Sequence, residues 1–139
     1  MKFKDFIKQG VVRKSSKDKA LARSLVKNAK KDIKFLDGLP INEISSRKLM
    51  TNYYDVLISV LEAISTIDGY KIYSHEAFTY FLKEKKEKTL SIKFDRFRKI
   101  RNSINYYGED ISIEETKENI EEMKNMIKIL TDKYLGNII

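Results

Sequence analysis

The chain has 139 residues, with 28 Lys+Arg against 20 Asp+Glu for a formal net charge of +8, no Cys and a single His. This is the length of one domain, and folding at this size buries roughly two-thirds of the extended-chain surface, so a core forms without staples. The lack of Cys excludes disulfides and thiolate metal sites, and the single His excludes a multi-histidine metal site.

The longest apolar run, around Val56 to Ile64, carries Ser59 and Glu62 and is too short to span a bilayer. Met1 to Gly10 alternates charged with apolar residues and has no apolar h-region, so it does not read as a signal peptide. The expectation is a soluble, cytoplasmic protein without a membrane partner. The basic excess lies before residue 35 and between Lys83 and Arg101. Such a domain attracts polyanions through counterion release, which makes nucleic acid a reasonable partner. A Lys-, Ile- and Glu-rich composition also follows from base-composition bias or from growth at high temperature.

Only five Gly and one Pro interrupt the chain, which favours long helices. Residues 1–16 are set apart as an N-terminal basic segment, with Lys2 to Lys8 as one short helix ended by Gly10 and Val11 to Ser15 as a loop. Residues 17–139 read as a single helical domain. Ser16 is placed to cap a helix to about Leu36, in which Ala22, Leu25, Val26, Ala29, Ile33 and Leu36 recur at spacings of three and four. Gly38, suited to the left-handed C-terminal position, and Pro40 stop it. Its outer side is rich in lysine, at Lys27, Lys30, Lys31 and Lys34.

Ser45 or Ser46 caps the next helix, which runs from about Arg47 to Ile67. Met50, Tyr53, Tyr54, Leu57, Val60, Leu61 and Ile64 cover most of its circumference and make it the central helix. Asp55, Ser59 and Glu62 fall on one narrow polar stripe of it. Carboxylates there must reach solvent or find cations, with Arg98 and Arg101 the nearest candidates by sequence logic. Gly69 to Tyr73 reads as a loop and Ser74 as the cap of a short helix to about Lys83, with His75 in its first turn. A first-turn His is most often a hydrogen-bonding packing residue, and the helix N-terminus disfavours its protonated form. Lys83 to Lys88 either extends that helix or forms a mobile basic loop. Ser112 followed by Glu115 is a capping box, and Thr116, Ile120, Met123, Ile127, Leu130 and Tyr134 form the seam of a last helix ended by Gly136. No β pattern competes, so the expected fold class is all-α, a bundle of four main helices with one short helix inserted.

The stretch from Phe94 to Gly108, FDRFRKIRNSINYYG, organises the rest. Wound at about 100° per residue, it sets Phe97, Ile100, Ile104 and Tyr107 on one side and Arg98, Arg101, Asn102 and Asn105 on a polar stripe. Two fixed cations and two amides on one stripe are suited to an anion such as a phosphate diester. The alternative is that the arginines pair with carboxylates of a neighbouring helix.

Several pieces occur in a telling order: a Lys-rich first helix, Asn52-Tyr53-Tyr54-Asp55, Gly69-Tyr70, Ser74-His75-Glu76-Ala77-Phe78, then Arg101-Asn102 with Tyr106-Tyr107-Gly108. In these the chain resembles, over about residues 17–135, a HEPN domain, named for higher eukaryotes and prokaryotes nucleotide-binding. The resemblance implies an antiparallel four-helix bundle that commonly forms a homodimer and is often encoded beside a minimal nucleotidyltransferase as a toxin-antitoxin pair. It also implies RNA or a nucleotide as ligand, with neither a metal nor another cofactor. Active members are metal-independent RNases whose motif is Arg, a polar residue, three variable positions and His. Arg101 matches the Arg and Asn102 the polar residue, while the His position is Tyr106. A phenol, with an ordinary pKa near about 10, is a poor proton acceptor at neutral pH. The Tyr that partner transferases modify in some members falls on Gly108.

Three functions compete on this reading. The first is a catalytically degenerate domain that binds RNA or a nucleotide through Arg98, Arg101, Asn102 and Asn105, part of a toxin-antitoxin or defence system. The second is an RNase toxin that uses Arg101, Asn102 and Tyr106 as catalytic residues. The third is a non-catalytic partner of a nucleotidyltransferase, with the stripe engaged in internal ion pairs.

Overall fold

Apolar side chains around nearly the whole circumference of residues 46–67 leave that helix one stable place, the centre. In the computed structural model, which describes residues 1–138, the chain runs as α1 (Phe3–Lys8), β1 (Val12–Lys14), α2 (Lys19–Asp37), α3 (Ser46–Ile67), β2 (Tyr70–Ile72), α4 (His75–Glu84), α5 (Lys88–Tyr107) and α6 (Ile113–Tyr134). Ile139, the last residue of the expected domain, lies outside the described residues. The molecule is mostly helical. Leu49, Met50, Tyr54, Leu57, Leu61 and Ile64 of α3 are buried, and α2, α5, α6 and β2 all pack against that helix. Among the described residues no helix is long and apolar enough to cross a membrane.

The expectation of no β structure is corrected by a small antiparallel pair, with Val12 opposite Ile72, Arg13 opposite Lys71 and Lys14 opposite Tyr70. Flanking bonds extend it: Ser15 N donates to Gly69 O at 2.8 Å and Tyr73 N to Val11 O at 2.9 Å. Strands of three residues carry too little alternation to be read from sequence, and these two are distant along the chain. Gly69 turns α3 into the second strand at φ +84, and a Cβ there would meet Ser15 O at 3.2 Å. The basic segment 1–16 thus folds into α1 and β1. Phe3 packs on Tyr70 and Phe81, and Phe6 on Tyr80, at ring-centroid distances of 5.3, 5.5 and 5.0 Å.

Helix ends differ from the sequence reading where two caps compete. Asp18, not Ser16, caps α2, its carboxylate accepting from Leu21 N at 2.9 Å; a charged acceptor at a helix N-terminus bonds more strongly than a hydroxyl. Gly38 stays right-handed at φ −81 and does not take the left-handed position. Ser45 precedes α3, but its hydroxyl is spent in the preceding turn, donating to Pro40 O and accepting from Asn42 N. The charge run 83–88 is neither a continuous helix nor a long loop. Helix α4 ends at Glu84, Lys86 turns at φ 65, and α5 begins at Lys88, so the organising helix starts well before Phe94. Glu87 then fastens the start of α5 to the end of α6, accepting from Lys133 Nζ and Tyr134 Oη.

The apolar side of α5 is Phe94, Phe97 and Ile104, all buried; Tyr107, expected beside them, is 78% exposed where the helix runs off the core. Phe94 stacks on Tyr54 with centroids 5.9 Å apart and meets Phe78 edge-on at 6.2 Å. Phe94→Ala is expected to cost about 3–5 kcal/mol in a urea unfolding titration, because it empties the centre of this cluster. Ser112→Ala, which removes the cap that accepts from Glu115 N at 3.0 Å, costs about 1 kcal/mol on the same scale. Equal losses for the two would show that the aromatic cluster is not the core contact described.

Candidate functional site

The polar stripe of α5 and the first turn of α4 face one another across an open depression of about 350 Å³, lined by Ser74, His75, Glu76, Arg98, Arg101, Asn102 and Tyr106. Such a size is at the low end of ligand sites, roughly 300–1,000 Å³. Arg98, Arg101, Asn102 and Tyr106 come together there as four positions of one helix. Asn105, one turn beyond Arg101 and Asn102, is exposed and outside the lining.

The two arginines are not equivalent. Arg98 gives Nε and Nη2 to Asp95 Oδ1 at 3.0 and 2.8 Å, on its own helix. Asp95 also binds Lys99 Nζ at 3.2 Å and accepts from Thr79 Oγ1 of α4 at 3.2 Å. Burial pushes the Asp95 carboxyl up, but the hydrogen bonds from Arg98 and Lys99 outweigh it and hold the pKa below the usual carboxylate value. Arg101 has no carboxylate within ion-pair distance among the described residues. Its Nη1 makes only long bonds, 3.4 Å each, to Asn102 Oδ1 and Tyr106 Oη. The guanidinium lies 5.6 Å from the Tyr54 ring centroid and 5.8 Å from that of Tyr106, a cation held by aromatic faces. Its Nε is shielded from solvent without a hydrogen-bond partner among the described residues.

Of the two fates expected for Asp55 and Glu62, reaching solvent holds and pairing with these arginines does not: both are exposed, neither forms an ion pair among the described residues, and Arg98 is taken by Asp95 on its own helix. A partner three residues away is held by the helix itself, whereas Asp55 on α3 must reach across an interface.

Sequence reasoning missed the place of His75. Its ring sits 5.6 Å from Tyr54 and 6.4 Å from Phe78, and Nδ1 lies 3.0 Å from Tyr54 Oη. The available signal was its first-turn position after Ser74; nothing local indicates that α4 brings it beside Arg101. Burial lowers its pKa from the ordinary value, and the Arg101 and Arg98 charges lower it further. Tyr54 is fully buried, and that burial raises its phenol well above the ordinary value although Arg101 and Arg98 oppose the shift. Both groups are neutral near pH 7. Among the described residues no group of three or more His, Asp or Glu side chains is placed to hold a metal ion. No family model, curated protein or solved structure matches the chain.

As the one histidine, His75 gives a clean NMR titration. The folded midpoint is expected below the ordinary value of about 6.5, and Arg101→Ala moves it upward by removing a like charge. Folding disfavours the proton, so the unfolded chain binds it first as pH falls; His75 then lowers stability on going from about pH 6.5 toward its folded pKa. A midpoint at or above the ordinary value, or no response to Arg101→Ala, would contradict the cationic environment described.

Proposed function

We propose that this chain is a HEPN-like domain that binds RNA or a nucleotide through a phosphate held by Arg101 and Asn102, with the Asp95-paired Arg98 beside them, without turning it over. The observation that carries the reading is Arg101: a guanidinium with no carboxylate partner among the described residues, beside a second arginine and an amide on one polar depression. A cation already neutralised by an ion pair gains little from a phosphate. One held by ring faces and long neutral bonds gains charge-assisted, bidentate hydrogen bonds. Arg101 in this state also weighs against a stripe built for internal pairing.

In this reading α2, α3, α5 and α6 are the four main helices of an antiparallel bundle, with α4 as the inserted short one. The motif position that active relatives fill with His is Tyr106, 70% exposed and bonded only weakly to Arg101, which supports binding in place of cleavage. Arg23, Lys27, Lys30, Lys31 and Lys34 on the exposed side of α2 supply the sequence-independent attraction of a polyanion. A homodimer would bring two such depressions into one particle, and a nucleotidyltransferase of a toxin-antitoxin or defence pair is the protein partner this reading implies.

The test is binding of labelled single-stranded RNA in chelator as a function of salt, with products resolved alongside. Arg101→Ala is expected to weaken binding about tenfold or more and to reduce the slope of log affinity against log salt by about one. Lys31→Ala on α2 changes affinity much less. Unchanged affinity in Arg101→Ala would remove the site from the reading, and cleavage lost in Arg101→Ala would replace the binder by an RNase.

A further inference from the structure

The hydrogen-bond directions around the depression narrow its ligand. Tyr54 is buried, its phenol stays protonated, and a buried hydroxyl proton must find an acceptor. The one partner of Tyr54 Oη among the described residues is His75 Nδ1. Tyr54 therefore donates, Nδ1 accepts, and the proton of the neutral imidazole sits on Nε2, the nitrogen left for a ligand. Asn102 follows the same logic. Its Oδ1 accepts from Arg101 Nη1, so the amide group left for a ligand is Nδ2–H₂, a donor. Arg101 is a donor by nature. Three side chains from two helices thus offer hydrogens. Glu76, on the rim, supplies the single carboxylate of the lining.

We infer that the depression takes the terminal phosphate of a ribonucleotide or of an RNA end, with Arg101, Asn102 and His75 Nε2–H as its donors. The inference rests on the phosphate-binding reading above and specifies its ligand. A diester has one charge and two free oxygens, whereas a terminal phosphate has up to two charges and three strong acceptor oxygens, which match the three donors lining one depression. Glu76, a poor neighbour for phosphate, is an apt acceptor for ribose hydroxyls, and the exposed Tyr106 ring is a platform for a base. The same proton arrangement is consistent with binding without cleavage: in the inferred tautomer Nε2 carries a proton and has no lone pair to accept one from a 2′-hydroxyl. The groups that face His75 are Tyr54 from α3, Arg98 and Arg101 from α5, and Glu76 of its own helix.

Two measurements on the full chain decide it. The ¹⁵N spectrum of the single histidine near neutral pH is expected to show Nε2 protonated and Nδ1 as acceptor. In titrations with one RNA sequence, the 5′- or 3′-phosphorylated form is expected to bind at least about tenfold tighter than the form with hydroxyl ends, and adenosine monophosphate tighter than adenosine by a similar factor. His75→Ala should erase most of that preference, and His75→Gln, which restores an N–H, should recover part of it. Preference for the phosphorylated RNA without comparable binding of the mononucleotide assigns the ligand to an RNA end; full competition by the mononucleotide assigns it to a free nucleotide. Equal affinity for phosphorylated and hydroxyl-ended RNA, or a histidine protonated on Nδ1, overturns this inference and leaves the phosphate reading intact. Absence of RNA and nucleotide binding in the wild type removes the phosphate reading itself.

Discussion

A tyrosine hydroxyl buried in the central helix sets a condition that the surrounding structure must meet. Tyr54 lies on the buried side of α3, and burial of its ring against Phe94 leaves the hydroxyl without water. The acceptor is the His75 imidazole, 3.0 Å away at the start of α4. That bond holds the ring of His75 against Tyr54 and, with the phenol as donor, leaves the imidazole proton on Nε2. The neighbouring Tyr53 meets the same need in another direction, donating to Asp37 at the end of α2 at 2.5 Å, where Lys124 of α6 also binds at 2.8 Å. Consecutive residues on a helix point about 100° apart, so the pair ties α3 to different neighbours, one for structure and one toward the depression.

The charges are divided in a comparable way. Asp95 collects Arg98, Lys99 and Thr79, so one carboxylate satisfies two cations and joins α5 to α4. One turn later Arg101 has no such acceptor, and aromatic faces hold it instead. Ring faces bind the cation without occupying its hydrogens, which leaves the donors in place for an oxyanion. Helix α5 thus carries a structural arginine and an available one at adjacent turns, and the difference lies in the residue three positions upstream of each: Asp95 for Arg98, and Arg98 itself for Arg101.

Much of the helical frame was legible because it depends on spacing. The apolar circumference of α3, the seam of α6 and the cap at Ser112 are local patterns, and each appears where the pattern lies. What was not legible depends on competition or distance. Asp18 displaced Ser16 as a cap because both can accept and the carboxylate does so more strongly. Two strands of three residues, far apart in sequence, left no periodic trace. Tyr107 fits the apolar side of α5 by angle, but the core ends before the helix does. The arginine stripe was visible, whereas its relation to His75 depends on how α4 docks against α5, and the partner of Arg98 depends on a choice between a near carboxylate and a far one.

Arg101 also shows why this site need not be the most stable arrangement for the fold. A shielded Nε–H without an acceptor costs about 1–3 kcal/mol relative to a satisfied one, and the core does not require a guanidinium at that point. An apolar side chain of similar length would rest on Tyr54 without the cost. The cluster of Tyr54, Phe78 and Phe94 offsets that loss and also packs on the ring of His75, which lines the depression. Core packing and the depression are therefore coupled through Tyr54: its buried hydroxyl meets the His75 imidazole of α4, and the Arg101 guanidinium of α5 rests over its ring.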